Sequence, residues 1–474
     1  MKPVIAVDLG ASTGRIMNVA LDDSFKVEEV HRFINEPVHR RRHLRWNIQR
    51  LWGEVIRSIE SSLDDSSSIG ICTWGVDYGL LDGDGNLLEE PIHYRDPRTE
   101  GVMEWVFDKI PKKTIFKRTG VQFLPLNTIY QLASMVKGRS RKLRKAETYL
   151  GIPDLFNYWL TGEKKSELTH ASTTQLLDPR EKSWCQDIIE AIGVPVKIFP
   201  QVIQPGTKLG ELKGVPVCAT ACHDTGSAVV AVPTPDSDFA YISSGTWSLL
   251  GTEIEKPLIN EQVYDLNFTN EGGAGDSIRL LKNLPGLWLE QELMREWTEK
   301  GATVTYNDLQ EVAGNTPSFI SLIDQNDPGF LIPGDMTERI QEYCKKTGQP
   351  APMSIGEHIR CVYESLVLNY RCALSQLEEI TGSSYNRIHI IGGGSRNKVL
   401  NQMTADATDR RVVAGPSEAA SIGNGVVQYV SLGELEDIWD ARSILAESDE
   451  VEVFYPVTPE QWDEAYERFK HLTR

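Results

Sequence analysis

Two short stretches of this chain combine an apolar strand, a glycine turn and hydroxyl side chains. Residues 4–15 place Gly10 between two such strands, and residues 239–248 repeat the pattern with Gly245 in the place of Gly10. Small residues in a turn expose backbone N–H groups, and such groups bind phosphate. Two turns of this kind predict a polyphosphate site. Asp8, at the end of the first strand, is a candidate ligand of Mg²⁺, and Arg15 adds positive charge for phosphate.

One carboxylate stands where an α/β sheet places its chemistry. Asp224 follows the apolar run 215–221 and lies between His223 and Thr225. Ligands of open α/β sheets bind at the carboxyl ends of strands, so this carboxylate could accept the proton of an alcohol during phosphoryl transfer. The structural alternative is an N-cap, because Asp is a favoured first residue of the helix that follows.

Other motifs are compatible with a site but also with ordinary structure. Gly392-Gly393-Gly394 follows a strand and would let a planar base or ribose lie on the backbone, or would simply form a turn. Residues 74–77 (Trp-Gly-Val-Asp) offer a ring and a carboxylate to a polyol, although Trp74 could equally lie in the core. Residues 10–14 match the G-x-S-x-G elbow of serine hydrolases, but too little chain precedes them for that fold.

Composition excludes several classes of partner. The chain has 474 residues, too many for one ordinary core, and a net charge of −18. Negative charge disfavours nucleic acid and anionic membranes, and no apolar run is long enough to span a bilayer. Without a signal-like N-terminus the expected location is the cytoplasm. Cys218, Cys222 and His223 lack the spacing of a zinc site, so buried thiols are the preferred interpretation.

Strands and helices alternate along the chain, which predicts an α/β protein. Residues 48–63 carry an apolar stripe of helical period, and helices are also expected over 357–380 and 417–430. Two prolines and four polar residues at 232–238 mark the best domain boundary. We therefore expect an N-terminal lobe over residues 1–236 and a C-terminal lobe over residues 237–474.

In their order along the chain, these motifs resemble those of the FGGY family of carbohydrate kinases, and the resemblance runs through nearly the whole sequence. The matching stretches are residues 8–15, 73–77, 94–96, 122–125, 173–176, 223–225, 243–248, 270–273, 281–291 and 392–397. The resemblance implies an actin-like (ribonuclease H-like) ATPase fold of two duplicated lobes with a cleft between them. It further implies ATP-dependent transfer of the γ-phosphoryl group to the C1 hydroxyl of L-rhamnulose.

The resemblance also assigns roles by position. Asp224 is similar to the proton acceptor of the family. The positions similar to sugar contacts are Gly75, His223, Asp224, Thr225 and Asn283. The positions similar to ATP contacts are Ala11, Ser12, Thr13, Gly14, Arg15, Thr246, Gln291 and Gly393. The N-terminal lobe would thus bind sugar and the C-terminal lobe nucleotide, with ATP and Mg²⁺ as cofactors and Asp8 as the metal ligand.

Two alternatives remain open at this stage. One is a kinase of another ketose or polyol, such as fuculose, ribulose or xylulose; the other is a non-catalytic actin-like sugar sensor. The segment after Pro125 lacks the Lys-x-x-Trp element of other sugar kinases in the family, which favours L-rhamnulose as the substrate over the sugars of those kinases. The expected partners are a small sugar and no nucleic acid or membrane, in a monomer or small homo-oligomer.

Overall fold

The computed structural model describes residues 2–473 and has a mixed α/β structure. The chain divides into two compact units. Unit 1 comprises the described residues up to Pro235 together with 253–281 and 418–448, and unit 2 comprises 236–252, 282–417 and the residues from 449 onward. The first break lies beside the boundary expected at residue 236. Unit 1 nevertheless also includes two later segments, so the chain does not divide at the single position that the proline-rich stretch predicts.

The first half of the chain supplies most of unit 1. Its strands are Val4–Leu9 (β1), Thr13–Leu21 (β2), Phe25–Ile34 (β3), Val38–Arg40 (β4), His43–Arg45 (β5), Ile69–Thr73 (β6), Tyr78–Leu81 (β7), Thr148–Gly151 (β8), Ser166–Glu167 (β9), Leu177–Asp178 (β10), Ser183–Trp184 (β11), Val202–Ile203 (β12), Thr207–Leu212 (β13) and Val215–Ala219 (β14). Its helices are Ile48–Ser62 (α1), Val102–Phe107 (α2), Lys112–Thr119 (α3), Thr128–Lys137 (α4), Arg141–Lys145 (α5), Ile152–Thr161 (α6), Leu168–Ala171 (α7), Gln186–Ala191 (α8) and Asp224–Val230 (α9).

The second half contains unit 2 and the segments that return to unit 1. Its strands are Ala240–Ser244 (β15), Trp247–Ile254 (β16), Thr269–Gly272 (β17), Ile278–Pro285 (β18), Arg387–Ile391 (β19), Arg411–Ala414 (β20) and Glu452–Phe454 (β21). Its helices are Glu261–Asp265 (α10), Trp288–Glu299 (α11), Tyr306–Asn315 (α12), Met336–Lys346 (α13), Ile355–Thr381 (α14), Lys398–Thr408 (α15), Ala419–Leu432 (α16), Ile438–Ala446 (α17) and Gln461–Leu472 (α18).

The main sheet of unit 1 has the strand order β13-β14-β6-β1-β2-β3. β1 and β14 both run parallel to β6, whereas β2 runs antiparallel to β1. The apolar stripe predicted for α1 is buried as expected, because Leu51, Val55 and Ile59 share a core with Ile5 and Ile71 of the sheet. Three parallel strands therefore end at one edge, and this edge positions the site.

The sheet of unit 2 repeats the arrangement. β15 pairs antiparallel with β16 and parallel with β19, and β19 in turn pairs parallel with β20. The helices predicted from periodicity over 357–380 and 417–430 are present as α14 and α16, with their ends moved by a few residues. In the described part of the chain, no helix combines the length and apolar character needed to cross a membrane.

Candidate functional site

The ends of three parallel strands bring distant parts of the chain together in unit 1. β1 ends before Gly10, β6 before Trp74, and β14 leads to the loop that carries Asp224. Backbone bonds join the three ends: Trp74 N donates to Leu9 O (3.0 Å), and Thr73 N donates to Cys222 O (2.8 Å). Because both bonds join backbone atoms, the order of the strands determines where the residues after each strand lie. Asp224 thus lies five residues beyond the end of β14 and is the first residue of α9.

Asp224 has one oxygen held by the protein and one left available. Oδ1 accepts from the backbone N–H of Thr225 (2.6 Å) and lies 3.4 Å from Nε2 of His223. Oδ2 accepts no hydrogen bond from any residue between 2 and 473. The side chain is 26% exposed, so a ligand can reach it. Burial raises the pKa of Asp224 above its usual value, and the neighbouring His223 opposes part of that rise. The carboxylate is therefore anchored and its free oxygen is more basic than an exposed one.

Gly75 lies directly against His223. A methyl group at Gly75 would be 3.2 Å from His223 Nε2 and from Thr173 Oγ1, closer than an ordinary contact, so a side chain here would push against the imidazole. The next residue, Val76, has φ = 64°, a conformation that a β-branched residue rarely adopts. Thr173 Oγ1 accepts from Val76 N (3.0 Å) and holds this turn. Gly75, His223 and Asp224, all predicted sugar contacts, are neighbours in the structure.

Asp8 and Arg15 face each other across the first hairpin, as register partners on β1 and β2. Arg15 Nη1 lies 3.8 Å from Asp8 Oδ2 and also forms a short ion pair with Glu418. Burial raises the pKa of Asp8 to about 6, although Arg15 opposes the rise and the charge of Asp224 adds to it. Two carboxylates thus balance Arg15. Its role towards phosphate, expected from the sequence, stays a prediction.

The first turn exposes fewer N–H groups than its sequence indicates. Gly10 N–H donates to Thr13 O (2.9 Å) and so closes the turn. The N–H groups of Ala11 and Ser12 have no partner within residues 2–473, and these two are the donors available to phosphate. Gly14 has a packing role, because a methyl group there would be 2.3 Å from the ring of Phe33.

The second hairpin, in unit 2, is tighter than the first. Gly245 N–H donates to Trp247 O (2.9 Å) across a turn one residue shorter, which leaves the N–H of Thr246 without a partner in the described chain. Gln291, on the first turn of α11, accepts from Thr246 Oγ1 (3.1 Å). Gly286 packs onto this turn so closely that a methyl group would be 2.6 Å from Gly245 O. Thr246 and Gln291, two predicted ATP contacts, are therefore in direct contact.

The glycine triplet after β19 divides into two roles. A methyl group at Gly394 would be 2.0 Å from Ser244 Oγ, so this glycine allows the loop to pack on the second hairpin. Gly393 is exposed, and a methyl group there would meet nothing within 4 Å. A flat, open stretch of backbone is what an approaching base or ribose requires. Asn283, a predicted sugar contact, lies on β18 within unit 2.

The interpretation of residues 74–77 as a polyol-binding set is wrong for its carboxylate. Asp77 is fully buried, and its Oδ2 accepts from the indole N–H groups of Trp46 (2.6 Å) and Trp74 (3.1 Å). Oδ1 accepts from Gln131 Nε2 (2.9 Å). With both oxygens occupied by protein donors, Asp77 orders the aromatic core beneath Gly75. The sequence pattern cannot show this because two of the donors, Trp46 and Gln131, come from distant segments.

Two buried groups in the structure were not foreseen from the sequence. In unit 1, Glu271 and Arg279 pair across the β17–β18 hairpin and contact His223. In unit 2, Tyr363 OH donates to Glu290 Oε1 (2.5 Å) and accepts from Asn397 Nδ2 (2.8 Å). This second chain ties the start of α11, where Gln291 lies, to the end of the glycine loop. The only signal in the sequence was the carboxylate of Glu290, one residue before Gln291. Spacing alone does not reveal that this carboxylate is buried.

Glu290 should make the stability of the protein depend on pH. Burial raises its pKa from 4.5 to about 7, and the hydrogen bond from Tyr363 opposes the rise. Between these values the native state holds a proton that the unfolded state has lost, so this group's contribution to the free energy of unfolding falls as pH rises, by about 3 kcal/mol in total. Glu290→Gln, which stays neutral, is expected to gain that amount relative to the unsubstituted protein between pH 5 and pH 8, measured by chemical denaturation. Glu342→Gln, at an exposed position on α13, is the control. A gain that does not change with pH would contradict the assignment.

One acidic residue of unit 1 fits a magnesium ion that is held together with phosphate. Among residues 2–473 no group of three or more His, Cys, Asp or Glu side chains could hold a metal. Magnesium in kinases is held by one or two carboxylates together with substrate phosphates and water. Asp8, at the end of β1, supplies one carboxylate of that kind. The described cysteines are all free thiols.

Comparison with known proteins identifies the family on sequence. The sequence pattern of the FGGY family of carbohydrate kinases, N-terminal domain, matches residues 3–230, and that of the C-terminal domain matches residues 240–432. A rhamnulokinase from Bacteroides thetaiotaomicron is 40% identical, with 99% of each chain covered. A rhamnulokinase from Halalkalibacterium halodurans is 42% identical over 94% of this chain and 97% of its own.

Solved structures agree on the fold. A ligand-bound xylulose kinase from Lactobacillus acidophilus has a TM-score of 0.79 at 16% identity and covers 100% of this chain and 97% of its own. A glycerol kinase from Plasmodium falciparum, solved with ADP, has a TM-score of 0.77 at 15% identity and covers 99% of this chain and 98% of its own. The predicted actin-like ATPase fold is confirmed. The chain belongs to the FGGY family of carbohydrate kinases.

Proposed function

We propose that this chain transfers the γ-phosphoryl group of ATP to the C1 hydroxyl of L-rhamnulose. The substrate assignment is supported by two rhamnulokinases that are 40% and 42% identical to this chain and match it over nearly their whole length. The chemistry is supported by one observation above all, the carboxylate of Asp224 with Oδ1 anchored and Oδ2 available. The proposed location remains the cytoplasm, and the proposed state a monomer or small homo-oligomer.

Each step of the transfer has a group of this chain to serve it. Asp224 Oδ2 accepts the proton of the C1 hydroxyl as its oxygen bonds to the γ-phosphorus and the bond from that phosphorus to ADP breaks. Gly75, His223 and Thr225 border the same carboxylate and orient the sugar. The N–H groups of Ala11, Ser12 and Thr246 and the exposed backbone at Gly393 bind the nucleotide, with Thr13, Arg15 and Gln291 beside them. Mg²⁺, with Asp8 as its proposed carboxylate ligand, would neutralise charge on the phosphates.

The substrate is tested with a panel of sugars. Purified protein is given ATP and Mg²⁺ with L-rhamnulose, L-fuculose, L-ribulose, D-xylulose or glycerol, and release of ADP is followed. Turnover with L-rhamnulose at the highest kcat/KM supports the proposal. A higher kcat/KM with another member of the panel would reassign the substrate, and no turnover with any of them would favour a non-catalytic sensor. Asp224→Asn in the same assay identifies ADP release that does not depend on this site.

Gly393 gives a prediction for the nucleotide. Its methyl group in Gly393→Ala would meet no protein atom, and the residue has no positive φ, so the variant should fold with unchanged stability. A methyl group that intrudes on a ligand costs about 1–3 kcal/mol, so KM for ATP should rise roughly 10- to 200-fold. KM for the sugar should not change.

Gly314→Ala is the matched control for this prediction. It also adds a methyl group to a glycine of unit 2, on α12, with no atom closer than Val399 Cγ2 at 4.0 Å. It should leave both KM values as they are. An unchanged KM for ATP in Gly393→Ala would place the nucleotide elsewhere.

A further inference from the structure

A buried ion pair lies against His223, the residue before Asp224. Glu271 and Arg279 are direct partners in the β17–β18 hairpin, with Arg279 Nη2 donating to Glu271 Oε2 (3.1 Å) and Nε donating to Gly272 O (2.9 Å). Arg279 is fully buried and Glu271 is 4% exposed. Arg279 Nη1, however, has no hydrogen-bond partner among residues 2–473. A buried pair of this kind is weak evidence for stability, and an unsatisfied buried donor costs free energy. Its role is therefore to be sought in what it contacts.

The pair contacts one nitrogen of His223. Arg279 Nη2 lies 3.2 Å from His223 Nδ1, and Glu271 Oε2 lies 3.3 Å from the same atom. The other ring nitrogen, Nε2, lies 3.4 Å from Asp224 Oδ1. The imidazole thus stands between two carboxylates, and His170 is a further titratable neighbour. Burial alone would raise the pKa of Glu271, but Arg279 and His223 outweigh it and the pKa is lowered, so Glu271 is ionised at neutral pH.

These contacts decide which ring nitrogen carries a hydrogen. A guanidinium can only donate, so when Arg279 bonds to Nδ1 the neutral ring carries its hydrogen on Nε2. When Glu271 accepts from Nδ1 instead, Nε2 can donate to Asp224 only if it also carries a hydrogen. The remaining arrangement turns a bare Nε2 towards the ionised Asp224, where two lone pairs would face each other. The arrangement that Arg279 imposes puts the hydrogen on Nε2, the nitrogen that lies 3.4 Å from Asp224 Oδ1.

We propose that Glu271 and Arg279 are positioning residues that fix His223 so that its Nε2–H donates to Asp224 Oδ1. This donor, with the N–H of Thr225, turns the carboxylate so that Oδ2 is the oxygen presented to the sugar hydroxyl. The inference rests on the proposed function, because it assigns Glu271 and Arg279 a part in orienting the proton acceptor. It adds two residues, more than 45 positions from Asp224 along the chain, to the machinery of the transfer.

The first test measures the hydrogen on the ring without disturbing the site. Protein labelled with ¹⁵N in histidine is examined by NMR near neutral pH, and the His223 signals are assigned by their loss in His223→Gln. We expect Nε2 to carry a hydrogen. A His223 with a hydrogen on Nδ1 and none on Nε2 would overturn the proposal. This readout needs no variant of Glu271 or Arg279 to fold.

The second test is a double-mutant cycle on turnover. Glu271→Gln should lower kcat by about 10- to 100-fold, the scale of a misplaced catalytic group, with KM for ATP unchanged. Because Glu271 acts through His223, the same substitution should have little further effect in a His223→Gln background. An equal loss in both backgrounds, or no loss in either, would overturn the proposal. If Asp224→Asn itself retained turnover the proposed function would fail, whereas full loss in Asp224→Asn with an unaffected Glu271→Gln would reject the positioning role alone.

Discussion

Asp224→Asn is expected to lower kcat by about 10²–10⁴-fold, the usual contribution of a positioned general base. The amide keeps the size of the side chain and can still accept from the N–H of Thr225 through Oδ1. It cannot take up a proton, so the sugar hydroxyl loses its acceptor. KM for ATP should stay nearly unchanged, because the nucleotide is assigned to other groups. The measurement is the steady-state rate with ATP and L-rhamnulose at saturation.

A matched control separates this effect from a general loss of structure. Asp84→Asn makes the same chemical change at an exposed turn in unit 1 and should leave kcat unaltered. Near-normal turnover in Asp224→Asn would refute the assignment of the base.

The acid side of the pH profile gives a second test of this assignment. Only the ionised carboxylate can accept a proton, and burial raises the pKa of Asp224. In the unsubstituted enzyme kcat/KM should therefore fall at a higher pH than an ordinary carboxyl would cause.

The site residues that could be predicted from sequence are those whose position follows from secondary structure. Asp224 ends up beside Gly75 because each follows a parallel strand, and the order of parallel strands is nearly fixed once the strands are recognised. Gly245 and Gly10 were recognisable as turns for the same reason. Their hydrogen bonds were not, because a turn one residue shorter leaves Thr246 alone as the available donor.

The groups that escaped prediction depend on register and on distant segments. Glu271 and Arg279 face each other only because β17 and β18 pair in one particular register, and they reach His223 from a segment that unit 1 takes back after its first break. From the sequence, Asp77 was interpreted as a possible sugar ligand. Its bond to the indole of Trp46 could not be foreseen, because Trp46 lies 31 residues earlier in the chain. A carboxylate in a sequence is equally compatible with a catalytic role and a structural role. The hydrogen-bond donors that surround it in the fold decide between these two roles.

The second large effect is expected where α16 crosses α9, the helix that begins at Asp224. Gly423 on α16 has no side chain to separate the two helices: a methyl group there would lie 1.8 Å from Ser227 O and 2.7 Å from Ser227 C. Both atoms belong to the backbone, so a side-chain rotation cannot relieve the overlap. Gly423→Ala should destabilise the protein by about 3 kcal/mol or more, at or above the upper end of ordinary overpacking. It should also lower kcat, because α9 can move away only by displacing Asp224.

Gly53 makes this prediction specific to the helix crossing. It lies within α1 of the same unit, and a methyl group there would meet only the mobile end of Arg57, at 3.7 Å. Alanine is favoured over glycine in a helix by about 0.8–1.0 kcal/mol, so Gly53→Ala should be stabilising and leave kcat unchanged. One substitution is thus expected to act with opposite signs at two helical positions, as measured by denaturant midpoint and turnover. If both variants were stabilised, the close approach of α16 to α9 would not hold Asp224 in place, because helix propensity alone would then account for the two results.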